Sequence, residues 1–264
     1  MKLLEKLLFK SEYFSAMHKR DLKKPNEDKL LVDDENGIFI LLDGVTRIHK
    51  EYDISPYESA ANDISDIFIS EAYRYIRENA LMDDPEQILR GAVLEANKKI
   101  REYRQRKSEN EWGFYPAAVG FIGMIRDNTL YYANVGDCMV VLIRKNAKIL
   151  LGKEWSLEAV DKKNVTKSEK YQIYCNHPEN PLSYTIFNGD SSVIKGLECS
   201  FIDLHAGDTV IIATDGIGDY IKYEKSKDLI KLAPKQMILS SDEYDTAPYS
   251  QYADDKTLIK LTFY

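Results

Sequence analysis

The sequence predicts an α+β protein in which antiparallel strands and amphipathic helices share one core. Short apolar runs separated by tight-turn residues over 117–151 are typical of an antiparallel β meander. Two further segments, 55–76 and 84–103, carry apolar residues at helical spacing on one face, so we expect both helices to pack against a sheet. In a chain of 264 residues without repeats or linkers, these elements predict a single domain spanning 1–264.

Two segments differ from these regular elements. Residues 1–12 are predicted to be an N-terminal extension, and the first ten of them have the apolar spacing of a short amphipathic helix. Residues 153–192 are polar and have no clear period, so we interpret them as a flap over a site. The remaining predicted elements are strands at 195–204, 209–214 and 257–263, a short helix at 225–232 and an acidic loop at 240–255.

Two of the predicted buried strands end in the same dipeptide, Asp-Gly. The apolar run Ile38–Leu42 is followed by Asp43-Gly44. The run Thr209–Thr214 is followed by Asp215-Gly216. Either dipeptide alone is typical of a turn, but a core strand gains nothing from a terminal carboxylate. Because a rigid strand end and a glycine that permits close approach suit a metal or phosphate site, the pair indicates such a site.

A predicted hairpin brings two more acidic residues to the same place. Asn36-Gly37 supplies the residues that a tight hairpin turn needs, and it follows the short strand Lys29–Asp33. Pairing that strand with the next one places Glu27 and Asp28 at the end of the sheet where Asp43 lies. Carboxylates gathered there would repel one another unless cations neutralised them.

Acidic residues recur at the ends of the predicted strands and suggest a metal site. No histidine or cysteine cluster has metal-ligand spacing, so the candidate ligands are all oxygen atoms. Such a set favours Mg²⁺ or Mn²⁺ over zinc, and two such ions about 3.5–4 Å apart can hold a phosphate for in-line attack. The aspartates at strand ends are Asp28, Asp43, Asp137, Asp215 and Asp254.

The composition is that of a globular protein with an acidic surface. Hydrophobic residues make up 44% and charged residues 30% of the chain, and the net charge is -7. This charge argues against nucleic acid as the main partner, because phosphate backbones bind basic faces. Three widely spaced cysteines fit a reducing compartment. With no signal-peptide pattern and no apolar run of roughly 20 residues, we expect a cytoplasmic protein without a membrane partner.

Five short motifs, taken in order, resemble those of the metal-dependent type 2C Ser/Thr protein phosphatases. The resemblance spans roughly residues 15–264 and is that of a divergent, bacterial-like member. It implies a four-layer αββα sandwich, in which helices flank a central antiparallel β-sandwich. The motifs are Asn26-Glu27-Asp28, Asp43-Gly44, Asn134-Val135-Gly136-Asp137, Thr214-Asp215-Gly216-Ile217-Gly218-Asp219 and Asp254-Asp255-Lys256-Thr257.

The resemblance also implies the metal ligands. Asp43 would bridge two Mg²⁺ or Mn²⁺ ions, and the carbonyl group of Gly44 would bind one of them. Asp215 and Asp254 would bind on the other side of the centre. The remaining implied ligands are Glu27 and Asp28, which would hold metal-bound waters, and Asp137, with Asp219 as a candidate, at a weaker third metal site.

The implied reaction is direct attack of metal-activated water on phosphoserine or phosphothreonine, without a phosphoenzyme. Asp43 and Asp215 would be the catalytic residues. The implied partner is a phosphorylated protein, and a cognate Ser/Thr kinase is a further candidate partner. Such a protein would serve in cytoplasmic signalling.

Two departures from the family pattern concern catalysis and phosphate binding. Val45-Thr46-Arg47 stands where the family has His-Gly-Gly or Met-Gly-Gly, so the proposed proton donor is absent and His49 is a nearby substitute. The position nearest to that of the family's phosphate-binding arginine, a few residues before Asn26-Glu27-Asp28, holds Lys23. The candidates for this role are Lys23, Arg20 and Arg47.

These departures keep two alternatives open. The first is a phosphatase-derived binding or regulatory module that is catalytically weak or inactive. The second is an enzyme that hydrolyses a small phosphate ester or a nucleotide.

Overall fold

The protein folds into ten strands and six helices within the residues that its computed structural model describes, namely 7–17, 25–45, 59–106, 116–152, 173–243 and 254–264. The strands are β1 Phe9–Ala16, β2 Lys29–Asp33, β3 Ile38–Val45, β4 Ala117–Arg126, β5 Thr129–Val135, β6 Met139–Arg144, β7 Ala147–Leu150, β8 Glu198–Asp203, β9 Thr209–Ala213 and β10 Lys256–Phe263. The helices are α1 Ala60–Glu78, α2 Pro85–Arg106, α3 Val193–Gly196, α4 Gly218–Tyr223, α5 Ser226–Lys231 and α6 Pro234–Ser241, and a 3-10 turn covers Asp215–Ile217.

The strands form two five-stranded sheets, and every pairing within them is antiparallel. Sheet A has the order β1-β10-β9-β6-β7, and sheet B has the order β2-β3-β4-β5-β8. The predicted hairpin joins β2 to β3, and Gly37 in its turn has the positive φ of 64° that the turn requires.

Alternation along the strands sorts the apolar side chains into three core layers. In β3, Phe39 and Leu41 face sheet A, whereas Ile38, Ile40 and Leu42 pack against α1 and α2. In sheet A, β9 divides its side chains in the same way between sheet B and the helices α4, α5 and α6. The result is a four-layer αββα sandwich, which confirms the predicted fold class.

The first predicted helix begins later than its sequence signals suggest. Ser59 is the N-cap of α1, and its hydroxyl accepts a hydrogen bond from the amide of Asn62 at 3.2 Å. Ser55, where the predicted segment begins with a serine suited to capping a helix, lies outside the described residues. The apolar face of the helix is buried as predicted, including Ile64 and Phe68.

The second predicted helix is confirmed, and it begins at Pro85, directly after the first residue of the predicted segment. The carboxylate of Asp84 accepts hydrogen bonds from the amides of Glu86 and Gln87, at 2.9 and 3.3 Å. These amides have no partner within the helix, so the aspartate supplies one. The predicted apolar stripe of α2 lies on the core.

The N-terminal region contains a strand where the sequence predicts a helix or an extension. Residues 1–6 are not described, but Phe9–Ala16 forms β1 and pairs with β10. The ring of Phe9 lies 5.8 Å from those of Phe39 and Phe263. The reason for the difference is tertiary, because the edge of β10 offers hydrogen-bond partners that the local apolar spacing does not reveal.

Two more elements differ from the prediction. Instead of one strand over 195–204, the short helix α3 precedes β8.

In the predicted acidic loop, 240–255, the first residues complete α6. That helix has Pro234 at its first position, and the side chain of Gln236 accepts a hydrogen bond from the amide of Ala233 at 3.0 Å. Pro234 and Gln236 are therefore a helix-start signal in the sequence that the predicted elements do not include.

The described part of the predicted flap, residues 173–192, is anchored to sheet B. Phe187 is buried and stacks on Phe68, with 4.1 Å between the ring centroids. Its backbone exchanges two hydrogen bonds with Ala118 of β4, at 2.8 and 3.0 Å. Residues 153–172, the other half of the predicted flap, lie outside the described chain.

The described helices include none with the length and apolar character needed to span a membrane.

Candidate metal centre

Strand register brings the predicted acidic residues to one end of the sandwich. Lys29 pairs with Leu42, so Glu27 and Asp28 lie beside the end of β3, where Asp43 is located. Asp43 pairs with Val119 of β4, and the neighbouring Gly120 pairs with Val135 of β5. The turn that follows Val135 therefore delivers the next acidic residue to the same end.

Three carboxylates meet there closely enough to share a cation. Asp43, Asp137 and Asp215 each provide an oxygen atom, and these three atoms lie within 4.8 Å of one another. Asp43, in β3 of sheet B, and Asp137, in the turn that joins β5 to β6, are partly buried. Asp215 follows β9 of sheet A and has an exposed face, so the group opens to solvent on that side.

The three-carboxylate group is electrostatically unfavourable in the absence of a cation. Burial, followed by the negative charges of Asp215, Asp28 and Asp137, raises the pKa of Asp43 well above its ordinary range. Burial of the carboxyl group, with Asp137 and Asp254 nearby, likewise raises the pKa of Asp215 to about 7. A bound divalent cation would reverse both effects, because it favours the ionised carboxylates.

Asp28 lies at the buried back of the centre, where it is only 5% exposed. Its carboxylate accepts a hydrogen bond from the hydroxyl of Thr214 at 2.9 Å. Burial and the charge of Asp255 raise the pKa of Asp28 well above its usual value, although hydrogen bonds from Thr214 and Thr257 oppose the shift. Asp28 therefore carries its charge most easily with positive charge beside it.

Glu27 is also buried and held on two sides. Its side chain accepts a hydrogen bond from the hydroxyl of Ser59, the N-cap of α1. Its amide donates to the carboxylate of Asp255 at 3.0 Å. The glutamate is therefore fixed by the helix layer and by sheet A together.

Asp254, just before β10, completes the acidic surroundings. Its negative charge contributes to the raised pKa values of Asp43, Asp215 and Asp28. Its own carboxylate accepts a hydrogen bond from the amide of Asp255 at 2.8 Å. Asp254 therefore acts electrostatically on Asp43 at the end of sheet B and on Asp215 at the end of sheet A.

Two glycines permit the close approach of backbone segments around the carboxylates. A Cβ atom at Gly44 would lie 2.8 Å from both the Cβ and the carbonyl oxygen of Glu27. At Gly216 it would lie 2.1 Å from the carbonyl oxygen of Asp255. These contacts are too short for a side chain, so both Asp-Gly dipeptides need their glycine.

The donor set fits a hard divalent cation. The atoms gathered at the centre are carboxylate oxygens, which suit Mg²⁺ and Mn²⁺. Three acidic groups within 4.8 Å, with the pKa of Asp43 and of Asp215 raised, form a concentration of negative charge that a cation would neutralise. The arrangement can therefore bind cations and, through them, an anion such as a phosphate group.

The structure does not place some of the predicted site residues at this centre. Lys23, Arg20 and Arg47, the candidates for phosphate binding, lie outside the described chain, as does His49. Asp219 is exposed in the first turn of α4, and the close carboxylate group found among the described residues does not include it.

Sequence reasoning missed the hydroxyl groups and the acid that support the centre. Thr214, Thr257 and Asp255 stand inside the recognised motifs, so their positions beside metal-ligand candidates were the available signal. Ser59 had no such signal, because its contact with Glu27 depends on how α1 packs.

Comparison with known proteins points to one family. A family model described as Protein phosphatase 2C matches residues 14–163. No curated protein matches the chain's sequence at a significant level.

Solved structures of bacterial phosphatases share the fold over nearly the whole chain. The serine/threonine phosphatase PstP/Ppp of Mycobacterium tuberculosis is 18% identical, with 96% of this chain and 98% of that chain covered and a TM-score of 0.66. Stp1 of Staphylococcus aureus is 17% identical, with 97% and 95% covered and a TM-score of 0.68. A PstP catalytic domain in complex with two manganese ions is 16% identical, with 98% and 99% covered and a TM-score of 0.64.

Proposed function

Because this chain belongs to the protein phosphatase 2C family, we propose that it is a metal-dependent phosphoprotein phosphatase that hydrolyses phosphoserine and phosphothreonine. The observation that supports the proposal most strongly is the meeting of Asp43, Asp137 and Asp215, whose carboxylate oxygens lie within 4.8 Å of one another. The manganese ions in the related PstP catalytic domain support the choice of Mg²⁺ or Mn²⁺ as the cofactor.

The proposed ligands come from both sheets. Asp43 and Asp215 are the proposed catalytic ligands and would hold the cations. The other proposed ligands of two ions, with a third site near Asp137, are Glu27, Asp28, Gly44 through its carbonyl group, Asp137 and Asp254.

Cations held there would supply an activated water molecule and neutralise the phosphate group. The protein contributes a fixed geometry, because the carboxylates are at strand ends and their neighbours are buried. The exposed face of Asp215 is the side from which a phosphate ester can approach. Lys23, Arg20 and Arg47 are proposed to attract the phosphate, and either arginine has the fork geometry that suits phosphate oxygens, which lysine lacks.

The proposed partner is a phosphorylated protein in the cytoplasm, with a cognate Ser/Thr kinase as a candidate second partner. The acidic net charge of -7 supports neither nucleic acid nor an anionic membrane surface as the main partner.

The test is hydrolysis of p-nitrophenyl phosphate and of a phosphothreonine peptide, with Mn²⁺, with Mg²⁺ and with EDTA. We expect turnover with metal and none with EDTA. Asp43→Asn and Asp215→Asn should each lose at least about 100-fold in kcat, because they remove a ligand charge. Asp127→Asn is the matched control, since Asp127 is an exposed turn residue whose positive φ of 50° suits asparagine. Turnover by Asp43→Asn equal to that of the wild type would contradict the proposal.

A second candidate function is a regulatory or binding module with little or no turnover. The observation that favours it is Val45-Thr46-Arg47, which replaces the family's His-Gly-Gly or Met-Gly-Gly. Calorimetric titration with Mn²⁺, combined with the phosphate-release assay, separates the two functions. Tight Mn²⁺ binding with phosphate release supports the enzyme, whereas a folded protein that shows no turnover with any metal supports the module. Turnover of p-nitrophenyl phosphate without turnover of phosphopeptides would favour a small phosphate ester as the substrate.

A further inference from the structure

The candidate metal centre is divided between two sheets, so its geometry depends on how the sheets are held together at this end. Asp43 belongs to β3 of sheet B, Asp215 follows β9 of sheet A, and Asp137 lies in the turn that joins β5 of sheet B to β6 of sheet A. A small change in the separation of the sheets would move the carboxylates apart. Metal sites tolerate errors of only about 0.5 Å in ligand position.

The tripeptide Asn26-Glu27-Asp28, which leads into β2 of sheet B, is bonded to sheet A at each of its three residues. Its partners lie at three different places: Ser15 in β1, Thr214 just after β9 and Asp255 just before β10. The bonds are Asn26 Nδ2 to Ser15 Oγ (2.8 Å), Glu27 N to Asp255 Oδ2 (3.0 Å) and Thr214 Oγ1 to Asp28 Oδ2 (2.9 Å).

Two of these three bonds are buried. The bond between Asn26 and Ser15 is exposed to solvent, whereas those made by Asp255 and Thr214 are not. Thr214 is fully buried and Asp255 is 2% exposed. Buried hydrogen bonds to a charged group are stronger than exposed ones, so these two contribute most to the connection between the sheets.

The hydroxyl of Thr214 is itself fixed in direction. It accepts a hydrogen bond from the amide of Thr257 at 3.0 Å, and the amide of Thr214 donates to the carbonyl group of Thr257 at the same distance. A hydroxyl group has one hydrogen to donate. The two acceptors within reach of that hydrogen are the carboxylate of Asp28 at 2.9 Å and the carbonyl group of Thr257 at 3.4 Å, and the shorter contact is the one to Asp28.

We propose that Thr214 is a positioning residue of the metal centre. Its hydroxyl, together with the carboxylate of Asp255, holds the segment Glu27-Asp28 of sheet B against the end of sheet A that carries Asp215. This inference rests on the proposed function only in requiring that a cation binds at this centre. It does not require turnover.

The experiment measures Mn²⁺ affinity by calorimetry for Thr214→Val, Thr214→Ser and the control Thr209→Val. Valine keeps the size of threonine but cannot donate, so Thr214→Val should weaken Mn²⁺ binding by about 10- to 100-fold. Thr214→Ser keeps the hydroxyl and should bind Mn²⁺ more tightly than Thr214→Val. Thr209 is also buried in β9, about 16 Å along the chain from Thr214, and its replacement should leave the affinity unchanged.

Asp255 provides an independent arm of the experiment. Asp255→Asn retains an oxygen that can accept from the amide of Glu27, whereas Asp255→Ala does not. We expect the alanine variant to lose more Mn²⁺ affinity than the asparagine variant. In a double-mutant cycle, Thr214→Val combined with Asp28→Ala should cost less than the sum of the single changes, because each change removes the same contact.

The outcomes separate this inference from the proposed function. If the wild type binds Mn²⁺ and Thr214→Val binds it equally well, the positioning role is wrong while the phosphatase proposal stands. If the wild type binds Mn²⁺ but releases no phosphate, the phosphatase proposal fails and the affinity comparison still decides the role of Thr214. A folded wild type that binds no Mn²⁺ overturns both. A melting temperature measured without metal shows whether each variant is folded.

Discussion

At the scale of single residues, the candidate centre concentrates negative charge that the metal-free protein must accommodate. The pKa of Asp215 is raised from 3.8 to about 7, first by burial and then by the charges of Asp137 and Asp254. A carboxyl group whose pKa is higher in the folded state binds protons more tightly there than in the unfolded chain. The free energy of unfolding therefore depends on pH with a predictable sign.

We predict that the metal-free protein loses stability as pH rises between 3.8 and about 7. In this window the folded state binds more protons at Asp215 than the unfolded state does, so the contribution of Asp215 to the free energy of unfolding falls with rising pH and levels off above the window. The measurement is the urea midpoint at about pH 5 and about pH 8 in metal-depleted buffer. In Asp215→Asn, the urea midpoints at these two pH values should differ less than they do in the wild type. Identical differences in the two proteins would refute this account of Asp215.

A second prediction compares two glycines that are two positions apart. Gly216→Ala would place a Cβ atom 2.1 Å from the carbonyl oxygen of Asp255, and the required backbone movement should cost about 1–3 kcal/mol of stability and weaken Mn²⁺ binding. At Gly218, in the helical region with φ of -57°, the nearest atom is 3.7 Å away. Gly218→Ala should therefore be neutral or stabilising by up to about 1 kcal/mol. Thermal unfolding and Mn²⁺ titration of both variants check this, and equal effects would contradict it.

At the scale of elements, two lysines of sheet A, the partly buried Lys148 and the buried Lys260, cap the short helices that cover the sheet. The ammonium group of Lys148 in β7 donates to carbonyl groups at the C-terminal end of α4, those of Ile221, Lys222 and Glu224. Lys260 in β10 donates to the carbonyls of Ile230 and Leu232 at the end of α5. The last carbonyl groups of a helix have no hydrogen-bond partner within it. A cation at this end also interacts favourably with the helix dipole, whose negative end lies there. Short helices are thus fixed by the strands beneath them.

Lys260→Met tests this capping. Methionine can fill the space of the lysine stem, but it leaves the carbonyls of Ile230 and Leu232 without their donor, so we expect a loss of about 1–3 kcal/mol. Because the metal ligands lie elsewhere, Mn²⁺ affinity of the folded variant should be unchanged. Urea unfolding and Mn²⁺ titration check the two parts. A variant as stable as the wild type would mean that water replaces the ammonium group.

At the scale of the whole molecule, the two sheets supply complementary halves of one centre, and a cation bound there would join them. Binding to the folded state alone stabilises it through mass action. Mn²⁺ at about 100 times its Kd should therefore add about 2.7 kcal/mol to the free energy of unfolding for each independent site. Asp43→Asn should lose most of this gain while remaining folded in EDTA. Unfolding curves with and without Mn²⁺ provide the measurement, and a gain that survives in Asp43→Asn would place the cation elsewhere.

The sequence by itself determined most of the elements and the acidic character of the site. Apolar alternation over Ile38–Leu42 and the meander at 117–151, together with the capping residue Asp84, are local signals, and the structure has the corresponding elements. The acids at strand ends were also readable, because a carboxylate beside a glycine at the end of a buried strand is unusual for packing. The hairpin at Asn36-Gly37 was enough to bring Glu27 and Asp28 to the end of β3.

Only the tertiary structure decided which of these residues meet and what holds them. That Phe9–Ala16 forms a strand depends on the free edge of β10. The bond from Thr214 to Asp28 joins residues 186 positions apart, and the bond from Glu27 to Asp255 joins residues 228 apart. The physical reason is that local sequence sets periodicity and turns, whereas burial, sheet pairing and the electrostatics of neighbouring carboxylates depend on contacts between distant parts of the chain.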